Sequence, residues 1–190
     1  MNQKSTVKKA VFIVMACSAL LVGLLVGVVK TDAAASPAPT PVPYATPDFS
    51  SMNMFLGTWT CQAMVRGRNR PDTSTTTIGL NGQYMVTNDV APPFDLYRTT
   101  PVVTDSYLTY NPINHMWVTV SVDSFGGYSI STSSGWNGNT LTATTNTTND
   151  GSTGSDVLTR ISDTHTSDTS VSTDAQGHVT RSTTVCNRTS

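Results

Sequence analysis

Glutamate is absent from this 190-residue chain, and all four lysines (Lys4, Lys8, Lys9 and Lys30) precede residue 36. From Ser36 onward the charged side chains are seven arginines and eleven aspartates, a balance of −4. A mildly acidic body argues against nucleic acid as a partner, because that affinity comes from Lys and Arg set against phosphates. It argues equally against holding an anionic membrane surface through charge. Lys and Glu are good helix formers. Their loss, with Thr, Ser, Val and Tyr abundant, points to strand. No segment after residue 56 has the spacing of a helix longer than a turn or two. Cysteine is scarce as well, with only Cys61 and Cys186 beyond Cys17. Two cysteines cannot build a structural zinc site, and the histidine spacing adds no ligands. No metal or other cofactor is implied.

What is present begins with a leader. Lys4, Lys8 and Lys9 precede an unbroken apolar run from Ala10 to Val29, and Ala33-Ala34-Ala35 follows. This reads as the charged region, apolar region and Ala-x-Ala cleavage site of a signal peptide. The run is also long enough to span a bilayer as an apolar helix. Residues 1–35 are therefore a signal peptide or an uncleaved signal-anchor. In either case the early lysines stay inside and the rest is sent outward, to the periplasm or the exterior. Membrane contact is expected only through residues 10–29, and only if the leader is retained. Val14-Met15-Ala16-Cys17 resembles a lipobox, but apolar residues continue to Val29, which favours a bland apolar cysteine. Ser36 to Pro47 reads SPAPTPVPYATP, a stiff polyproline-type spacer within a linker over 36–52. In an exported chain the even pair Cys61 and Cys186 favours a disulfide.

Residues 53–190 carry short β-type segments with turn signals between them. Phe49–Phe55 suits one helical turn or a plug. Thr58–Arg66 places Trp59, Cys61, Ala63 and Val65 on one face. Ser74–Leu80 ends at Asn81-Gly82, and Gln83–Val90 ends at Ala91-Pro92-Pro93. Val102–Tyr110 runs into the turn Asn111-Pro112-Ile113-Asn114. His115–Val122 sets Met116, Val118, Val120 and Val122 against His115, Trp117, Thr119 and Ser121. Tyr128–Ser134 follows, then the hairpin signal Asn137-Gly138 and Thr140–Asn146. Asp156–Ser162, Thr166–Thr173 and His178–Asn187 complete the set. The expected fold is all-β: an antiparallel up-and-down β-barrel of about ten strands. One cysteine near each end fits closure, since only a closed sheet makes the first and last strands neighbours.

The order of motifs resembles an uncharacterised bacterial family of lipocalin-like (calycin) barrels, known only as a domain of unknown function. The matching elements are Phe55-Leu56-Gly57-Thr58-Trp59, Leu80-Asn81-Gly82-Gln83-Tyr84, Tyr110 to Trp117, Gly135 to Leu141, and Arg188 near the end. The resemblance implies a barrel and brings no catalytic residues. It further implies that Trp59 closes one end of the barrel with an arginine stacked on it, Arg188 or else Arg181.

No motif identifies a reaction, and no catalytic residue is assigned. Ser, Asp and His allow a triad on paper, but no Gly-x-Ser-x-Gly elbow supports one. His165 or His178 could serve a haem barrel, yet both lie beside turns in polar surroundings, and His115 is the third histidine. Asn146, Asn149, Asp150, Ser152 and Asp156 offer oxygen ligands without the ordered spacing or terminal Glu of a calcium loop. The candidate binding residues are the large rings Tyr84, Tyr107, Trp117, Tyr128 and Trp136, with Arg98 at the mouth. They would line a cavity for a small hydrophobic ligand unless they fill it.

Overall fold

The structure, a computed structural model, describes residues 45–93 and 99–190. The expected leader helix and most of the Pro-rich linker lie outside the described residues, as does Arg98. A 3-10 turn over Ser50–Phe55 leads into eleven strands. These are β1 (Gly57–Val65), β2 (Arg68–Gly79), β3 (Tyr84–Ala91), β4 (Val102–Asn111), β5 (Met116–Asp123) and β6 (Tyr128–Ser133). They continue as β7 (Trp136–Asn137), β8 (Thr140–Thr148), β9 (Thr153–Ser162), β10 (His165–Thr173) and β11 (Val179–Arg188).

Apart from β6 and β7, strands that follow one another in sequence pair antiparallel, and β1 pairs with β11. β6 also pairs with β8, which closes the sheet. Ten strands therefore make an up-and-down barrel, and the two-residue β7 adds only to β8. β2 starts earlier than its sequence pattern suggests, at Arg68. The chain reverses at Arg66-Gly67, both at positive φ (50° and 73°), the conformation of a tight two-residue hairpin.

The seam between β1 and β11 sets Trp59 opposite Arg188 and Cys61 opposite Cys186. The expected Cys61–Cys186 disulfide crosses it, linking residues 125 apart in sequence. Gly57 begins β1 at φ +100°, and a Cβ there would sit 2.2 Å from the Ser190 carbonyl oxygen. The same carbonyl accepts a hydrogen bond from Thr58 N at 2.9 Å. Glycine is thus required where the chain's last residues cross its first strand.

The 3-10 turn plugs the adjacent end of the barrel. Met52 and Met85 are each 1% exposed and pack with Phe49 and Trp117. Met54 packs with Trp59 and Cys61. Trp59 Nε1 donates to Phe55 O at 3.2 Å, tying β1 to the plug. Arg188 lies 5.9 Å from the Trp59 ring centroid and donates through Nη2 to Leu56 O. One guanidinium thus stacks on the tryptophan and binds the plug's last carbonyl. Arg188→Lys keeps the charge and loses the planar donor. It should cost about 1 kcal/mol, read as a lower urea midpoint with an unchanged m-value.

Candidate functional site

The lumen is the candidate site. Register and alternation fix which residues enter it. On β1 these are Trp59, Cys61, Ala63 and Val65, the face read from the sequence. Above the plug lies a cavity of about 260 Å³. Its floor is Met52, Phe55, Trp59, Met85 and Trp117, and Leu108, Leu141 and Leu158 form apolar wall. Ser74, Thr76, Thr87, Ser106, Thr119 and Thr166 add hydroxyls to the wall. Several hydroxyls are already paired across strands: Thr76 with Thr87 at 2.8 Å, and Ser106 with Ser121 at 2.7 Å.

Of the five expected lining residues that the structure describes, Trp117 alone borders this cavity. Trp136 stacks on Phe55 (centroids 5.9 Å apart) and packs against the plug. Tyr84 and Tyr107 stand on the outside of the barrel, edge-on to each other at 6.4 Å. They border an outer groove with Pro47, Val118 and Val120. Met85 and Thr87 take the inward positions of β3, so Tyr84 between its neighbours must point out. Tyr128 is exposed at the far rim.

A layer of aspartates, missed in the sequence reading, lies above the cavity. Asp72 is two residues from Ser74 on β2, and Asp89 two from Thr87 on β3. Asp156 is two from Leu158 on β9, and Asp168 two from Thr166 on β10. Strand direction puts all four on the side away from the plug. They form two diagonal cross-strand pairs, Asp72 with Asp89 and Asp156 with Asp168. Burial, with the Asp72 charge added, pushes the Asp89 carboxyl up to about 6. Burial, with Asp156 beside it, does the same for Asp168, also to about 6. Asp72 and Asp156 are raised by burial.

His115 and His165 lie off the lumen, while His178 borders a pocket at its far mouth with Val65 and Arg70. His115 Nδ1 meets the Tyr110 hydroxyl at 3.3 Å, His165 Nδ1 meets Asn187 Oδ1 at 2.7 Å, and His178 Nδ1 meets Asp174 Oδ2 at 3.0 Å. The proposed oxygen-rich loop is self-bonded: Asp150 Oδ1 accepts from Thr148 Oγ1 and Ser152 N, while Asp156 turns into the barrel. Among the described residues no group of three or more His, Cys, Asp or Glu is placed to hold a metal ion. No family model matches the chain, and no curated protein does.

Proposed function

We propose that the chain is an exported binding protein, a lipocalin-like barrel that carries a small apolar or amphipathic molecule in its lumen and catalyses no reaction. The observation that carries this reading is the cavity of about 260 Å³ with its apolar floor, held inside a closed barrel. Its size sits just under the range of about 300–1,000 Å³ typical of ligand pockets, which suits a small ligand. The leader and the disulfide support export, since such bridges persist in oxidising compartments. The closed meander, the Gly57-Thr58-Trp59 start and Arg188 over Trp59 support kinship with the uncharacterised bacterial lipocalin-like barrels. The pairing of His115, His165 and His178 with Tyr110, Asn187 and Asp174 supports binding without catalysis or haem.

Native mass spectrometry of protein purified from its own host tests this. The expected spectrum shows an added mass that denaturation removes. Ala143, small and cavity-lining, gives the control. Ala143→Phe fills the space and should reduce retained ligand at least tenfold. A bare mass from the host, with no uptake of added apolar ligands, would favour a different reading: a surface-displayed structural or interaction module. The outer groove of Tyr84, Tyr107, Val118 and Val120 is the feature that supports that alternative.

A further inference from the structure

The fold does not account for the aspartate layer. Four carboxylates on inward positions oppose folding unless something neutralises them. Among the described residues the ion pairs are Arg160–Asp163 and His178–Asp174, and neither reaches a lumenal aspartate. Arg70 and, at the exposed start of β2, Arg68 share the face of Asp72, two cations against four acids. Asp72 Oδ1 is shut off from solvent without a hydrogen-bond partner among the described residues. A second observation comes from the cavity wall. Thr166 is 4% exposed, lines the cavity next to Asp168, and its hydroxyl has no partner among the described residues.

We propose, building on the binding reading above, that the lumen selects an organic cation: an amine whose apolar body fills the cavity over Met85 and Trp117 and whose ammonium lies against one of the two carboxylate pairs, Asp72 with Asp89 or Asp156 with Asp168. Each carboxylate lies two residues beyond a cavity-lining residue on the side away from the plug, so an ammonium held there leaves the apolar body in the cavity. An ammonium meets carboxylates in charge-assisted hydrogen bonds, the strong kind. A neutral head group gains less there, and an anion is repelled. A bare metal ion fits poorly, because the acids are spread over two pairs and no three converge.

The test is isothermal titration of the purified full-length protein with three probes of one shape: phenethylamine, 2-phenylethanol and phenylacetate, near neutral pH. Phenethylamine should bind at least tenfold more tightly than 2-phenylethanol, with phenylacetate weakest. In Asp89→Asn/Asp168→Asn the preference for the amine over the alcohol should fall at least tenfold. These substitutions are isosteric and remove charges that oppose folding, so the variant is expected to fold. The wild-type ranking needs no variant. Equal binding of amine and alcohol to the wild type, or a preference for phenylacetate, overturns the cation assignment and leaves ligand binding standing. Uptake of none of the three overturns the binding reading itself.

Discussion

Opening the Cys61–Cys186 bridge, by reduction or as Cys61→Ala/Cys186→Ala, should lower the unfolding temperature by on the order of 10–20 °C. The bridge spans 125 residues, a separation that takes in most of the barrel. Cross-linking so long a loop removes denatured-state freedom equivalent to about 4–5 kcal/mol. At about 2–4 °C per kcal/mol for a domain of this size, the shift follows. The rest of the structure is poorly placed to compensate. Among the described residues the buried apolar ones are few and gather at the plugged end: Phe49, Met52, Met54, Trp59, Cys61, Met85 and Trp117. The β1–β11 seam joins the two ends of the barrel in sequence, so its loop-closure cost is the greatest in the fold. Calorimetry of oxidised and reduced protein measures the difference. A shift under about 3 °C would mean that the plug and the strand ladder hold the seam without the disulfide.

The seam and the site were unequally legible in the sequence. The first strand reads plainly because Trp59, Cys61 and Ala63 alternate with the polar Thr58, Thr60 and Gln62. The disulfide follows from two cysteines in an exported chain, and closure from their places near its ends. Turn chemistry located most reversals, but Arg66-Gly67 escaped notice because arginine at φ 50° is an uncommon turn residue. The faces of β3 and β5 were harder. Tyr84, Val86 and Val90 share a face that looks like core, yet they stand outside while Met85, Thr87 and Asp89 enter the lumen. On β5, Val118 and Val120 are likewise outside and Trp117 and Thr119 inside. The usual rule of apolar in, polar out fails here because this lumen is lined above its floor by Ser, Thr and Asp. Thr on both faces of the strands removes the remaining contrast. A signal was present all the same. Asp72, Asp89, Asp156 and Asp168 each share parity with a lumenal residue two positions away. That pattern becomes readable once the register of one strand is known.

Raising the pH from about 4.5 to about 7.5 should destabilise this protein, against the usual tendency of a fold stabilised by paired carboxylates. Asp89 and Asp168 titrate at about 6 in the barrel, chiefly through burial and secondarily through the neighbouring acid. In the unfolded chain such groups titrate near about 4. Between those values the folded protein holds protons that the unfolded chain has released, so stability falls as pH rises through the window. The surface acids pull the other way but lower on the scale. Hydrogen bonds from Ser50, Ser152, Arg160 and His178 hold Asp48, Asp150, Asp163 and Asp174 below their ordinary value. Their contribution is lost only as the pH drops below about 4. After discounting for the partly wet lumen, each raised aspartate is worth about 1–2 kcal/mol. Asp89→Asn/Asp168→Asn should therefore gain about 2–4 kcal/mol at neutral pH and flatten the profile from pH 4.5 to 7.5. Urea unfolding of both proteins at the two pH values measures this. A wild-type stability that rises across the window would mean that the lumenal carboxylates are already satisfied in the folded chain. It would also remove the physical reason for placing a cation among them.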